Sequence, residues 1–220
     1  MENKRAIFSE ELGRLRHDVL VMSSLVEEAL GKALAAFQDN NTELAKEVRE
    51  GDAAVNSMQL GIEDAVIALI ATQQPVARDL REIFTILKIT VNLERAGDHA
   101  VHLAKTAIKL SGKTPFRAME RLALMVKTGQ EMIRASVSAY LKQDTDAARK
   151  AAALDDIIDG EHKKLSGEML KLMKKHPELL KKAFRFLHTS GNIERLGDHI
   201  TNICEAIIYM IESRHEELNE

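Results

Sequence analysis

A repeated octapeptide constrains this chain more than any other feature. Asn92-Leu93-Glu94-Arg95-Ala96-Gly97-Asp98-His99 recurs one hundred residues later as Asn192-Ile193-Glu194-Arg195-Leu196-Gly197-Asp198-His199, with six of eight positions identical and the other two aliphatic in both copies. Two such copies in 220 residues point to a duplicated unit of about a hundred residues. Each copy sets a Glu and an Asp four residues apart, which on a helix stacks both carboxylates on one face. At roughly 100° per residue, Ile83, Phe84, Leu87, Thr90, Val91, Leu93, Ala100, Val101 and Ala104 share one broad apolar arc, and Glu94 and Asp98 lie inside it. Carboxylates turned toward a core are costly unless paired or bound to a cation. Thr201 and Glu205, near Glu194 and Asp198, predict a wetter setting for the second copy.

The rest of the chain reads as helix. The stripe Leu12, Leu15, Val19, Met22, Val26 and Leu30 follows a start at Ser9 and runs to about Phe37. Thr42 with Glu43 caps a second helix that ends at Thr72-Gln73-Gln74, and Pro75 opens a third that stops near Ser111-Gly112. The pattern then restarts: Thr114-Pro115 opens a fourth helix ending at about Lys142, and Asp144-Thr145 a fifth that ends before His176-Pro177. The sixth carries the second octapeptide and fades in the polar tail from Glu212 to Glu220. With no strand-like alternation, the expected fold is all-α: two tandem antiparallel three-helix bundles, residues 1–112 and 113–220.

The repeat extends past the octapeptide. Asp52, Asn56, Gln59 and Glu63 form a polar stripe on the second helix, and a shift of 103 residues aligns them with Asp155, Asp159, His162 and Ser166 on the fifth. Two helices of each unit therefore carry stripes able to converge on one site.

Composition excludes several roles. The net charge of −3, with two Tyr, no Trp and no basic run interleaved with aromatics, argues against nucleic acid. A single Cys204 and no CxxC fit a reducing compartment. The longest fully apolar run, Ala65 to Ala71, is too short to span a bilayer. The N-terminus lacks an apolar stretch of signal-peptide length. The expectation is a cytoplasmic protein.

Glu94 and Asp98 have a plain reading as intrahelical ion pairs, since Arg95 stands three residues before Asp98. Repetition on the third helix of each unit favours a metal reading, in which carboxylates without thiolates suit Mg²⁺, Mn²⁺, Ca²⁺, iron or Zn²⁺. A ferritin-like di-iron bundle needs two ExxH elements on different helices, and Glu212-Ser213-Arg214-His215 alone fits, in the polar tail. His99 and His199 fall about 100° from the Asp direction and suit either support of a metal ligand or a solvated surface. Gly97 and Gly197 sit mid-helix, where close helix approach or room for a metal cluster explains them. No HExxH, phosphate-cradling Gly loop or nucleophile–base pairing is present.

The segments Gln74-Pro75-Val76-Ala77-Arg78-Asp79-Leu80-Arg81, Leu93 to His99 and Ile193 to His199 together resemble the PhoU family, over nearly the whole chain. The resemblance implies a non-enzymatic negative regulator of phosphate uptake and the phosphate-starvation response. It implies an adaptor between the ATPase subunit of a phosphate ABC transporter and a sensor histidine kinase, reaching the membrane only through partners, and a homodimer. It also implies multinuclear metal clusters, iron or zinc foremost with Mg or Mn as alternatives, held by Glu94 and Asp98 in one unit and by Glu194 and Asp198 in the other. Asp52, Asp79, Asp155 and Asp159 are further candidate ligands. Asn56 stands opposite Asp159, leaving one carboxylate fewer on that helix of the first unit. Two alternatives stay open: a carboxylate-bridged metal hydrolase or oxidase, and a helical scaffold without metal.

Overall fold

The computed structural model describes residues 2–110 and 116–219. The described residues form helices and turns, with no strand. Helices α1 (Glu2–Asp39), α2 (Thr42–Gln73) and α3 (Ala77–Lys109) make the first unit. Helices α4 (Phe116–Lys142), α5 (Thr145–Ala152), α6 (Asp155–Lys175) and α7 (Leu180–Glu212), with a 3₁₀ turn at Pro177–Leu179, make the second. The expected helix end at Ser111-Gly112, the start at Thr114-Pro115 and the unit boundary at 112/113 lie outside the described residues.

Short connections force neighbouring helices antiparallel. Asn40 takes φ 53°, and Asn41 accepts the Leu44 N–H at 3.1 Å, so α2 is capped by Asn41 and not by Thr42. Asp144 caps α5 the same way through Ala147 N–H at 2.9 Å. Helix α1 begins seven residues before Ser9, which lies inside it. Phe8 is buried and rewards those extra turns with core contact.

The expected fifth helix is two helices. At Ala153-Leu154 the backbone tightens: Leu154 N–H bonds to the Ala151 carbonyl at 3.3 Å and Ile157 N–H to the Leu154 carbonyl at 3.0 Å, both three residues back. The rod restarts at Asp155, so this jog sets the position of one candidate ligand.

A single apolar core runs through both units, joined where α1 packs on α4 and α3 on α7. Helices α3 and α7 run antiparallel, as their cross-links show: Thr85 Oγ1 donates to the Ala206 carbonyl at 3.2 Å, and Arg185 to the Lys109 carbonyl at 2.6 Å. The two octapeptides consequently cross near the centre of the molecule. The Arg16 guanidinium lies 2.6 Å from Glu82, to which the buried Tyr140 hydroxyl also donates at 3.5 Å, tying α1, α3 and α4 together.

Helix α2 modifies the sequence expectation about membranes. Although its unbroken apolar run is short, an 18-residue window has a mean hydropathy of 1.3, so by length and composition the helix is apolar enough to cross a bilayer. In this fold Val48, Val55, Ile62, Val66 and Leu69 are buried in the bundle. Glu63 and Asp64 interrupt the apolar sequence of this continuous helix, and Leu60 and Ile67 face outward.

Candidate metal centres and their relatives

Each unit brings its two polar stripes face to face. In the second unit Asp155 and Asp159 on α6 meet Glu194 and Asp198 on α7, close enough that the charge of Asp159 helps to raise the other three. Asp155 is the buried member. Its Oδ2 accepts a long bond from Thr201 at 3.4 Å, and its Oδ1 is buried without any hydrogen-bond partner. Burial, then the charges of Asp159, Asp198 and Glu194, push its carboxyl up to about 7, against an ordinary value near 3.8. Glu194 and Asp198 are half-buried and raised for the same reason, burial first. A buried carboxylate oxygen without a donor is what a cation would satisfy.

Gly197 makes this arrangement possible. A Cβ on Gly197 would lie 1.9 Å from Asp155 Oδ1, so the helices approach this closely only because position 197 has no side chain. The order of wetness is the reverse of the sequence expectation. Thr201 is buried, and as a hydroxyl donor it serves the site; Glu205 turns away to accept the Leu218 N–H at 2.8 Å.

The first unit repeats the plan more loosely. Asp52 on α2 faces Glu94 and Asp98 on α3, and Asn56 donates to Asp52 at 3.2 Å. Burial and the charge of Asp98 raise Asp52 and Glu94, with Lys105 opposing the effect at Asp52. Asp98 is exposed and Glu94 half-buried, so the apolar arc of the sequence reading does not enclose them; Phe84 and Val91, two members of that arc, are exposed as well. At Gly97 a Cβ would meet Val55 at 3.5 Å and Asp52 at 3.9 Å, ordinary contact distances. Among the described residues no three His, Cys, Asp or Glu side chains stand ready around a single ion. The carboxylates form open clusters in both units.

Asp79 does not join either cluster. It lies fifteen residues before Glu94 on the same helix, roughly 22 Å away at 1.5 Å per residue, and its carboxylate is paired with Arg5. His99 and His199 are half-buried between α3 and α7, not solvated, with rings stacked 5.5 Å apart. His199 Nδ1 donates to Asn92 Oδ1 at 3.2 Å. Burial, then His199, His102 and the arginines of both octapeptides, push His99 down to about 4, so it packs as a neutral ring. His162, in the α6 stripe, bonds Ser190 at 3.0 Å. Buried Cys204 has its thiol pushed up to about 12, mainly by burial, and packs as a small apolar group.

The C-terminal segment is a feature that sequence reasoning missed. Residues after α7 fold back and are pinned: Arg149 bonds Glu212 at 2.8 Å and Glu216 at 2.8 Å, and the Tyr209 and His215 rings stack at 4.3 Å. Glu217 and Leu218 then wall a cavity of about 380 Å³ shared with Asp155, Asp159 and Asp198. Only the tail's closing Leu218 hinted at burial in a run otherwise polar.

Comparison with known proteins agrees with this duplicated plan. The PhoU domain matches twice, over residues 19–107 and 122–207. The chain is 35% identical to the phosphate-specific transport system accessory protein PhoU homolog of Clostridium acetobutylicum, over 98% of this chain and 99% of that one. It is 30% identical to the PhoU accessory protein of Escherichia coli, over 94% of this chain and 86% of that one. The chain belongs to the PhoU family. Among solved structures, PhoU from Pseudomonas aeruginosa superposes with a TM-score of 0.90 at 32% identity, covering 94% of this chain and 100% of that one. The phosphate transport system regulatory protein PhoU from Streptococcus pneumoniae gives 0.88 at 31% identity, covering 95% and 99%. PhoU relatives are named as accessory and regulatory proteins of phosphate transport, not as enzymes, and a role in regulating phosphate uptake follows for this chain.

Proposed function

We propose that this chain is a metal-binding adaptor that holds the phosphate-starvation response off when phosphate is plentiful. It would sit in the cytoplasm between the ATPase subunit of a phosphate ABC transporter and a sensor histidine kinase, and act as a homodimer. The observation that carries the metal part is the partnerless Asp155 Oδ1, buried against Gly197 and surrounded by Asp159, Glu194 and Asp198.

An all-oxygen donor set of this kind suits iron, zinc, manganese or magnesium. Glu194, Asp198, Asp155 and Asp159 would hold the cation of the second unit, and Glu94, Asp98 and Asp52 that of the first. When bound, the metal supplies positive charge that offsets repulsion among the carboxylates and clamps α6 to α7 and α2 to α3. Thr201 orients Asp155 by its hydrogen bond, Gly197 admits the carboxylate, and the pinned tail lines one side of the second centre. The role needs rigid helical faces and no reacting group. Exposed Leu60, Ile67, Val76 and Phe84 supply apolar area for partners to cover.

The test is a phosphatase reporter of phosphate starvation in phosphate-replete cells lacking this chain. Constitutive expression, silenced again by the wild-type chain, is the expected result. A reporter that stays silent in the deletion overturns the repressor reading. Metal-dependent turnover abolished by Glu94→Ala would instead favour a metal hydrolase or oxidase.

A further inference from the structure

Where α3 ends beside the start of α7, a groove of about 430 Å³ opens between the two units. Its charged lining is basic: Lys105 and Lys109 from α3 and Arg185 from α7, with no carboxylate in the wall. His102 and His188 face each other across it, ring centres 5.8 Å apart, and exposed Phe184 forms an apolar edge. Among the described residues, no Asp or Glu lies within ion-pair distance of Lys105, Lys109 or Arg185, whereas Arg5, Arg14, Arg16, Arg121, Arg134, Arg149 and Arg214 each have such a partner. Arg185 uses one N–H to cap the Lys109 carbonyl and keeps others for a second acceptor. Asn192 donates to His188 Nδ1 at 3.2 Å, so a neutral His188 carries its proton on Nε2 and is a donor there. Thr106 also lines the wall, its hydroxyl donating to the His102 carbonyl at 3.0 Å and so fixed within α3.

The duplication supplies an internal control. Shifted by one hundred, the positions of His102, Lys105, Thr106 and Lys109 hold Asn202, Glu205, Ala206 and Tyr209, and those of Arg185 and His188 hold Thr85 and Lys88. The α3–α7 crossing therefore packs at its other end without this charge, and only Phe184 is repeated, as Phe84. The fold thus builds the corresponding end of the crossing without these three cations, on a chain of net charge −3.

We infer that this groove binds a small anion bearing phosphate groups. Three cations and two imidazoles converging from two helices suit a multiply charged tetrahedral oxyanion, which accepts from several donors at once. The charge argument is independent of the phosphate-regulator reading; the choice of phosphate over other oxyanions rests on it. Two sources share this chemistry, free phosphate or pyrophosphate and a nucleotide whose base lies on Phe184. Burial first, then the charges of His188 and Lys105, hold His102 below its ordinary value, with Asp98 opposing, and an anion in the groove would act against that shift.

Equilibrium dialysis of the full chain at low ionic strength against labelled phosphate, pyrophosphate and ATP tests this. Saturable binding is expected for at least one of the three, weakened about tenfold or more in Lys109→Gln/Arg185→Gln, since a charge-assisted hydrogen bond is worth roughly that factor. Binding should not be weakened in Glu94→Gln/Asp98→Asn, since the Asp98 charge, which acts on His102, opposes an anion there. Lys105→Gln, at an exposed position, gives a second reading should the double variant not fold, and the side-chain nitrogen signals of His102 and His188 should shift on titration. Phosphate or pyrophosphate binding assigns a free-phosphate site; ATP binding alone assigns a nucleotide. No binding of any probe, binding that survives the groove variants, or loss only in Glu94→Gln/Asp98→Asn overturns the inference. Equal displacement by sulfate overturns the choice of phosphate. The reporter assay reads the regulator role separately, so the two failures are distinguishable.

Discussion

The two acidic centres descend from one plan and differ in burial. In the second, Asp155 is buried with an orphaned oxygen, glycine at 197 leaves room for it, and the chain's own tail lines one side of the cavity. In the first, Asp52 is half-buried and hydrogen-bonded to Asn56, Asp98 is exposed, and Gly97 has space to spare. Duplication preserved three of the four carboxylates, Asn56 replacing the counterpart of Asp159, while the Asp side chain sits far closer to the glycine in the second unit than in the first. The closer approach of α6 to α7 stores more electrostatic cost in the second centre, so a cation has more to relieve there.

Metal removal should give the largest effect separating the centres. A ligand present at a hundred to a thousand times its dissociation constant stabilises by about 3–4 kcal/mol, so chelation should lower the melting temperature clearly. By calorimetry the loss should be greater in Glu94→Ala/Asp98→Ala, which keeps the second centre, than in Glu194→Ala/Asp198→Ala. Unchanged melting with the metal demonstrably gone would rule out a structural role.

Acidity comes next. With its carboxyl near 7 when folded and near 3.8 ordinarily, Asp155 keeps a proton in the metal-free native state that the unfolded chain has already released. The native state then binds more protons, so stability is greatest at low pH and is lost as pH rises through about 4 to 7. The upper bound is on the order of 4 kcal/mol, at 1.4 kcal/mol per pH decade. Urea midpoints of metal-free protein at pH 5 and pH 8 should show this fall. Asp155→Asn should flatten it, and Asp52→Asn should do so less. Equal flattening by both would erase the distinction between the centres.

Adding one methyl group sharpens the comparison further. Gly197→Ala should cost about 1–3 kcal/mol by forcing Asp155 aside, while Gly97→Ala should be neutral or up to roughly 1 kcal/mol stabilising through helix propensity. Denaturant titration reads both. The smallest expected effect is at the tail: Arg149→Gln should leave the melting temperature nearly unchanged yet speed carboxypeptidase trimming of the C-terminus.

Much of this was legible in the sequence because helix periodicity and duplication are local signals. The repeated Glu-xxx-Asp pairs and the α2 and α6 stripes shifted by 103 were visible as spacings, and the fold sets them facing each other. Relative burial was not legible. Thr201 beside Asp198 reads as wet on a helical wheel, and only the approach of α6 makes it a buried donor. The jog at Ala153-Leu154 has no Gly or Pro to announce it. Ser9 resembles a cap, but Phe8 carries the helix past it into the core. His99 and His199 looked peripheral because a wheel drawn for one helix omits the partner that covers it. The basic groove was invisible for the same reason, being assembled from residues 80 positions apart, Lys105 and Arg185.

The most direct test of the central claim is the metal-to-protein ratio, by plasma mass spectrometry, of the chain purified from its own host without chelators and then dialysed. The account predicts bound metal in the wild type, most of it retained by Glu94→Ala/Asp98→Ala and most of it lost by Glu194→Ala/Asp198→Ala. A wild-type ratio near zero, or retention in the reverse order, would contradict it.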